Sequence, residues 1–446
     1  MNRLKSRALT IAVSLALLGG TGAAYAVVNV QCPGDNDGDA AWDTTTGRYK
    51  DDPPGSRNGP PINTKCMHLI AGDSFATMSD GNPLYTFGFG DQTGTPPEDV
   101  ISAGILDAWW PGPTIELEEG DEFYLSLTNV GTVIRPDLFD SHTVHWHGFP
   151  NAATVFDGVP EVSISINMGA TLTYYYNVVQ PGTFMYHCHV EATEHMEMGM
   201  LANLYVHPAQ DVTGCSSGLC PVAGRKGGPG GGTALGQPEG YAYNDNDGTT
   251  GWDVEKAIQV SSFDSAFHDA SLFVQPLPFA DLEADYPMIN GRGYPDTVVA
   301  GALPAPTDNV APVAGYDPGK VTGNPGEVLN NGEPAQRIDS VITVDSGQKL
   351  LLRLSNLSVD QFYTITAQGL TMQVVGTGAK HMRGVGGNNI YKQVASVNIG
   401  GGEVNDILID TTGVAPGTYF LYSTELHQMS NLTQLDGGMI TEIVVN

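Results

Sequence analysis

Short runs of apolar and β-branched residues, separated by turn-forming residues, recur along most of the chain. Residues 114–117, 123–127, 171–176 and 349–354 are four such runs, each lying close to Gly, Pro, Asn or Asp. Long stretches with the apolar spacing of an amphipathic helix are missing. The pattern therefore predicts an all-β fold built from antiparallel β-sandwiches.

The chain has 446 residues, which is long enough for two domains with their own cores. Gly and Pro are plentiful, and residues 227–232 are almost entirely Gly, a composition typical of a linker. The predicted organisation is a signal peptide at 1–26, an irregular N-terminal extension at 27–65, a first domain at 66–208, a Gly/Pro-rich linker at 209–240 and a second domain at 241–446.

The first residues have the three parts of a secretory signal. Basic residues precede an apolar run at 8–18, and small residues at 24–26 fit a cleavage site. The apolar run is too short to span a bilayer, and no later segment is long enough. The sequence predicts a secreted or periplasmic protein without a membrane span, with an uncleaved N-terminal anchor as the alternative.

The formal charge of −30 restricts the partners. A nucleic-acid-binding protein needs a basic surface against the phosphate backbone, so we expect no nucleic acid partner. An acidic surface attracts cations or a basic redox partner. Solubility outside the cell is the simpler explanation for much of this charge.

Five cysteines agree with export. Cys215 and Cys220 lie close together in the sequence, and Cys32 can pair with Cys66, although other pairings are possible. Disulfides form in oxidising compartments. With these two pairs, Cys188 is left over, and metal ligation would keep its sulfur as a thiolate.

Cys188 lies in a segment unusually rich in metal-binding side chains. Six of the eleven histidines fall in two neighbouring segments, together with one cysteine and one methionine at ligand-like spacing. These residues are His142, His145 and His147 in the first segment, and His187, Cys188, His189, His195 and Met200 in the second. Two imidazoles, a thiolate and a weak thioether are the ligands of a blue-copper centre.

Strand geometry divides these ligands into two groups. Successive side chains of a strand point to opposite faces, so Cys188 faces away from His187 and His189. If residues 142–147 form one continuous strand, His142 lies on one face and His145 and His147 on the other. Pairing the segments with His142 beside Cys188 then predicts one copper on one face and four imidazoles on the other.

With these motifs the sequence resembles the multicopper oxidases, in particular their two-domain members, and the resemblance implies two Greek-key, cupredoxin-like domains. It implies that His142, Cys188, His195 and Met200 are type 1 copper ligands. It further implies that His145, His147, His187 and His189 are half of a type 2/type 3 cluster that reduces O2 to water. The segment at 156–160 matches a position where an acidic residue lies near the cluster, so Asp157 is a candidate catalytic residue.

The second domain resembles the same family but lacks its ligands. At the expected positions the sequence has residues 361–368, which contain no histidine, and Tyr422-Ser423-Thr424-Glu425. Three hypotheses follow for completing the cluster. Two copies of the first domain place their four histidines face to face in a homo-oligomer, or the four histidines hold one or two coppers, with His427 of a neighbour as a further ligand, or only the type 1 copper is used.

The expected function is therefore that of a secreted copper oxidoreductase. A small reductant, a phenol or a metal ion, would be oxidised at the type 1 copper with His195 as the entry ligand, and electrons would pass through Cys188 to His187 and His189 and on to O2. The alternatives are a type 1 copper electron carrier and a copper nitrite reductase-like enzyme. Histidines at positions 145 and 189 favour the oxidase over the nitrite reductase.

Overall fold

We describe the protein from a computed structural model. The described residues are mainly 64–150, 152–218, 237–308 and 321–446, with a few isolated positions elsewhere: Val28, Gln31, Cys32, residues 42–43, 48–49 and 220–221, and Ala223. The predicted signal peptide at 1–26, most of the extension at 27–65 and the Gly-rich run at 227–232 lie outside these residues.

The first half of the chain forms two facing sheets, and all three runs predicted there are strands. One sheet has the order β4-β3-β6-β8, and the other β5-β10-β9-β7. The strands are β3 (Thr64–Thr77), β4 (Pro83–Asp91), β5 (Ile115–Glu118), β6 (Glu122–Gly131), β7 (His145–His147), β8 (Thr171–Asn177), β9 (Gly182–His187) and β10 (Leu201–His207); the two-residue strands β1 (Trp42–Asp43) and β2 (Arg48–Tyr49) precede them.

The second half repeats this arrangement. One sheet has the order β14-β13-β16-β22-β18-β19, and β20 also pairs with β18. The other sheet has the order β15-β24-β23-β17-β21. The strands are β11 (Gly240–Tyr241), β12 (Gly251–Trp252), β13 (Val254–Phe263), β14 (Tyr286–Ile289), β15 (Ile342–Val344), β16 (Lys349–Asn356), β17 (Tyr363–Ala367), β18 (Met372–Thr377), β19 (Lys380–His381), β20 (Lys392–Val394), β21 (Ser396–Ile399), β22 (Val404–Asp410), β23 (Gly417–Ser423) and β24 (Ile440–Val445).

The two sandwiches share their strand pairing. In the first, β3 runs parallel to β6 and β5 parallel to β10; in the second, β13 runs parallel to β16 and β15 parallel to β24. The remaining central pairs are antiparallel, including β9 with β7 and β23 with β17. The all-β, cupredoxin-like fold class is confirmed, while the predicted domain boundaries stay a prediction.

Helices are few and short in the described residues. They are α1 (Val100–Gly104), α2 (Ala192–Glu197), α3 (Gln210–Thr213) and α4 (Ser265–Leu272), with single 3-10 turns at Thr154–Phe156, Asp296–Val298, Asn330–Gly332 and Leu426–Met429. No helix in the described part of the chain is long and apolar enough to cross a membrane.

Polar contacts fix the two sandwiches against each other. Arg353 on β16 is fully buried and forms ion pairs with Glu255 and Asp406, and its Nη1 also donates to Thr183 Oγ1 on β9. His268 of α4 contacts the Tyr85 carbonyl on β4. A buried guanidinium is stable only when it is paired, so this network holds the sandwiches in one arrangement. That arrangement positions the loops that face the histidines.

Disulfides join Cys32 to Cys66 and Cys215 to Cys220, and Cys188 is a free, buried cysteine. This is the pairing favoured from the sequence.

Candidate copper sites

Strand β9 and its extension carry the ligands of both groups. His187 ends the strand and pairs with His145 on β7 and with Leu201 on β10. Cys188 follows and its side chain is fully buried inside the first sandwich. The alternation of side chains therefore separates the sulfur from the imidazoles on either side of it, as the sequence predicts.

On the inner face, one sulfur and two imidazoles converge. The Sγ of Cys188 lies 3.2 Å from His195 Nδ1 and 3.8 Å from His142 Nδ1. All three side chains are buried, and their donor atoms lie within 4.8 Å of one another. Met200 is also fully buried, and its carbonyl accepts a hydrogen bond from Cys188 N at 3.0 Å. This donor set fits copper, because thiolate and imidazole together suit that metal.

The segment before this site differs from the prediction. Only His145–His147 is a strand, whereas His142 pairs in an isolated bridge with Ile166. The strand does not extend back to His142 because the backbone N–H groups of the two following residues donate to side chains instead of to a neighbouring strand. Thr143 N donates to Cys188 Sγ at 3.5 Å, and Val144 N donates to the Tyr174 hydroxyl at 3.1 Å. The ladder therefore breaks, yet His142 still reaches Cys188.

The surroundings favour a thiolate at Cys188. Burial alone would raise the pKa of the Cys188 thiol, but the adjacent imidazoles of His195 and His142 hold it well below its ordinary value. Burial would likewise lower the pKa of His195, but the Cys188 sulfur and the Asp140 carboxylate raise it to about 10. The deprotonated sulfur is the form that binds a metal.

On the outer face, four imidazoles line one cavity of ≈ 300 Å³. The His145 ring centre lies 5.2 Å from that of His187 and 5.1 Å from that of His189, and the His147 centre lies 5.6 Å from that of His187. Met196 lines the same cavity. The structure thus brings together the four histidines that the sequence places on one face.

Hydrogen bonds orient two of these rings. Nδ1 of His187 donates to the Cys188 carbonyl at 2.8 Å, and Nδ1 of His145 donates to the Asp157 carbonyl at 2.6 Å. A neutral imidazole that donates from Nδ1 has its lone pair on Nε2, which is then free to bind a metal. Burial lowers the pKa of His187 to about 3, and burial also lowers the pKa values of His145 and His147.

Asp157 contacts this cavity through His145. Its carbonyl accepts the hydrogen bond, and its carboxylate Oδ2 lies 3.6 Å from the same Nδ1. The contact orients a ligand, as partners of metal-bound imidazoles commonly do. The catalytic role given to Asp157 stays a prediction.

The second sandwich covers part of the four-histidine cavity. Its contribution is residues 357–359, which follow β16, together with Gly401 and Gly402 between β21 and β22. None of these described residues is a histidine. A face-to-face contact between two copies of the four-histidine surface, as one hypothesis requires, would have to accommodate these loops, and that hypothesis stays a prediction. His427 lies at a different cavity, beside Gln361 and Asp285.

The equivalent positions of the second sandwich can be read from the matching strands. Tyr363 pairs with Ile399 as His142 pairs with Ile166. Ser423 N donates to the Met439 carbonyl at 3.2 Å, as Cys188 N does to that of Met200. The hydroxyl of Ser423 donates to Gln428 Oε1 at 2.6 Å. Ser423 and Gln428 thus stand in the second sandwich where Cys188 and His195 stand in the first.

Two acidic residues that no motif predicts lie beside His195. Asp140 Oδ2 is 3.7 Å from His195 Nε2, and donor atoms of Asp140, Glu191 and His195 all lie within 4.8 Å of one another. Asp140 precedes His142 by two positions, which is the one local signal for it. Glu191 reaches the group only through the left-handed turn that begins α2.

A cupredoxin-like β-sandwich with a buried Cys-His-His group and a separate four-histidine cavity has the fold and the donor groups of a copper oxidase. Family models described as multicopper oxidase match residues 93–211 and 304–446. The chain belongs to the multicopper oxidase family.

Curated relatives match over short segments. An L-ascorbate oxidase of Cucurbita pepo var. melopepo is 34% identical over 111 residues, which are 24% of this chain and 18% of that protein. Laccase-1 of Emericella nidulans is 30% identical over 128 residues, 28% of this chain and 19% of the relative. The alignments thus span about a fifth of the length of these relatives.

Solved structures match the fold over most of the chain. The blue copper oxidase from Nitrosomonas europaea superposes with a TM-score of 0.56 at 20% identity and covers 86% of each chain. A copper nitrite reductase from the same organism has a TM-score of 0.50 at 14% identity. At these identities, the match to solved structures shows a shared fold.

Proposed function

We propose that the protein is a copper-dependent oxidase that takes electrons from a small reductant at the Cys188 site and uses them to reduce O2 at the four-histidine cavity. The observation that carries this proposal is the arrangement of β9. The end of this strand and the two residues after it present a buried sulfur to two imidazoles on one face and two further imidazoles to a shared cavity on the other.

One copper would be held by His142, Cys188 and His195, with Met200 as a weak further donor. The remainder would be held by His145, His147, His187 and His189. Copper in these positions supplies one-electron transfer and the binding of O2. The chain itself supplies the connection, because Cys188 is bonded through single peptide units to both His187 and His189. Burial lowers the pKa values of His145, His147 and His187 and so favours the neutral form that ligation requires.

The acidic group beside His195 favours a cationic reductant such as a metal ion. Asp140 is 19% exposed at its side chain, whereas His195 is fully buried, so the carboxylate forms the link between the ligand and solvent. The formal charge of −30 would further concentrate cations at the surface. A phenol, the other donor class, gains no such attraction.

Export is part of the proposal. Two disulfides join four of the five cysteines, and such bonds persist in oxidising compartments. This supports a secreted or periplasmic protein. A homo-oligomer also remains proposed.

Copper analysis combined with an oxygen assay tests the central claim. We expect more than one copper per chain, a blue thiolate absorption, non-blue copper by electron paramagnetic resonance, and O2 uptake with a metal-ion or phenolic donor. His145→Ala should remove the O2 uptake and keep the blue colour. One copper per chain without O2 uptake would establish an electron carrier instead, and nitrite consumption without O2 uptake would establish a nitrite reductase.

Donor class is tested separately. Glu191→Gln and Asp140→Asn should raise the KM for a metal-ion donor by roughly tenfold and the KM for an uncharged phenol much less, because only the cation loses an attraction. Glu425→Gln is the matched control, since this exposed carboxylate adjoins the equivalent, ligand-free loop of the second sandwich. Equal changes for both donors would contradict a cation site.

A further inference from the structure

The turn between β21 and β22 brings backbone from the second sandwich onto a ligand of the first. Gly402 has a φ of +82°, and a Cβ at this position would lie 2.7 Å from His147 Cε1 and 3.2 Å from its Nε2. The nearer distance is well inside van der Waals contact. Only a residue without a side chain lets this backbone lie against the ring.

This turn has little room to withdraw. Gly402 N donates to the Asn356 carbonyl at 2.9 Å, and Glu403 N donates to the Gly400 carbonyl at 3.1 Å. The carboxylate of Glu403 accepts a further bond from Gly400 N at 2.8 Å. Moving the turn away from His147 would break bonds that hold the end of β16.

His147 differs from the two neighbouring rings that have clear hydrogen-bond partners. Carbonyls fix the Nδ1 atoms of His145 and His187, whereas His147 Nδ1 is buried without a hydrogen-bond partner among the described residues. The orientation of this ring therefore depends on what packs against it. Gly402 supplies that packing.

We propose that Gly402 is a positioning residue for His147: the second sandwich, which has lost its own ligands, sets the ring orientation of a copper ligand in the first. The inference rests on the proposed function in taking the four-histidine cavity as a copper site. Residues that orient a metal ligand without touching the metal typically contribute 10–100-fold to metal affinity.

A pair of glycine substitutions tests this role. Gly402→Ala should weaken binding of the non-blue copper by roughly 10–100-fold in chelator competition, with the blue absorption unchanged. Gly413→Ala is the control, because Gly413 also has a positive φ, +77°, but a Cβ there meets nothing within 4 Å. Backbone strain is thus matched, and only the contact differs. Equal copper affinity in both variants would overturn the proposal.

A readout without copper separates this inference from the proposed function. In copper-free protein, the fall in Tm caused by Gly402→Ala should shrink to about half or less when His147→Ala removes the ring, because the two residues are in contact. An undiminished fall would overturn the positioning role. If Gly402→Ala alone does not fold, its rescue by His147→Ala supports the role and failure of rescue contradicts it. Wild-type protein with only one copper would refute the cavity's function, whatever the Tm cycle shows.

Discussion

Each of the two sandwiches uses an asparagine at the end of a matching strand to build the loop that leads to the ligand position of the first sandwich or to its equivalent in the second. Asn129 ends β6, and its Nδ2 donates to the carbonyls of Asp140 and Ile166. Asn356 ends β16, and its Nδ2 donates to the carbonyls of Gln361 and Ile399. Each also accepts from an amide two residues later. The scaffold of the site is therefore present in both halves.

What differs is the chemistry placed on that scaffold. The first sandwich aims Cys188, His142 and His195 at one another, which without a metal leaves three polar groups in an apolar core. The second replaces them with Ser423, Tyr363 and Gln428, whose hydroxyl and amide groups satisfy one another or Ser262. Hydrogen bonds thus replace metal bonds, because buried polar groups need partners.

The largest predicted effect comes from making the first site resemble the second. Cys188→Ser should abolish the blue absorption and the oxidase activity, because the thiolate is the defining ligand of the site. The fold should persist, since the equivalent position already has Ser423. Visible spectroscopy, O2 uptake and circular dichroism measure these three outcomes.

Ser423→Ala is the reciprocal control. It should leave copper content and activity unchanged and cost about 1 kcal/mol, because Gln428 Oε1 loses its hydrogen-bond donor. Loss of copper from this variant would mean that the second sandwich still takes part in binding the metal.

Removing a ligand on the outer face should produce a more limited loss. His187→Ala should lower O2 uptake by at least 100-fold and remove non-blue copper while the blue absorption remains, because Cys188 faces the other side of the chain. Copper counting with electron paramagnetic resonance measures the split. Parallel loss of both signals would show that the two groups do not act as separate sites.

Buried histidines outside the copper sites give a pH-dependent contrast. His268 contacts the carbonyls of Tyr85 and Glu197, and burial lowers its pKa to about 4 from an ordinary value of 6.5. Between these values the unfolded chain binds a proton that the folded protein does not. Stability should therefore be full above pH 6.5 and fall by on the order of 3 kcal/mol as the pH drops through 4.

Urea unfolding of copper-free protein at several pH values measures this loss. His268→Gln should flatten the profile over that range, because glutamine does not titrate. If the profile of His268→Gln is as steep as that of the wild type, other groups cause the acid sensitivity. His68 is one such group, because burial lowers its pKa to about 4 as well.

The paired asparagines give the finest comparison. Asn129→Ala and Asn356→Ala should each destabilise the fold by about 2 kcal/mol, because each removes two side-chain hydrogen bonds to loop carbonyls. Asn129→Ala should also shift the blue absorption, since Asp140 and His142 lie on its loop. Asn356→Ala should spare that absorption and disturb only the non-blue copper near Gly402. Identical spectra for the two variants would show that Asn129 and Asn356 do not act on different copper sites.

The fold class, the grouping of Cys188 with His142 and His195, and the grouping of the four other histidines were predictable from the sequence, while their roles as copper ligands stay a prediction. Strand alternation divides neighbouring residues between two faces whatever the rest of the chain does, so Cys188 and its flanking histidines had to separate. The free cysteine followed from pairing the other four cysteines. The one local error was the continuous strand at 142–147, because two of its amides bond to side chains that are distant in sequence.

Only the tertiary structure decided what faces the ligands. The contact of Gly402 with His147, the covering of the four-histidine cavity by the second sandwich, and the placement of Asp140 and Glu191 beside His195 join segments that no motif connects. Local sequence specifies the period of a strand and its turns, whereas the packing of two sandwiches depends on buried side chains spread along the whole chain, such as Arg353. Ligands can be read from a short motif, but their surroundings depend on contacts between distant residues.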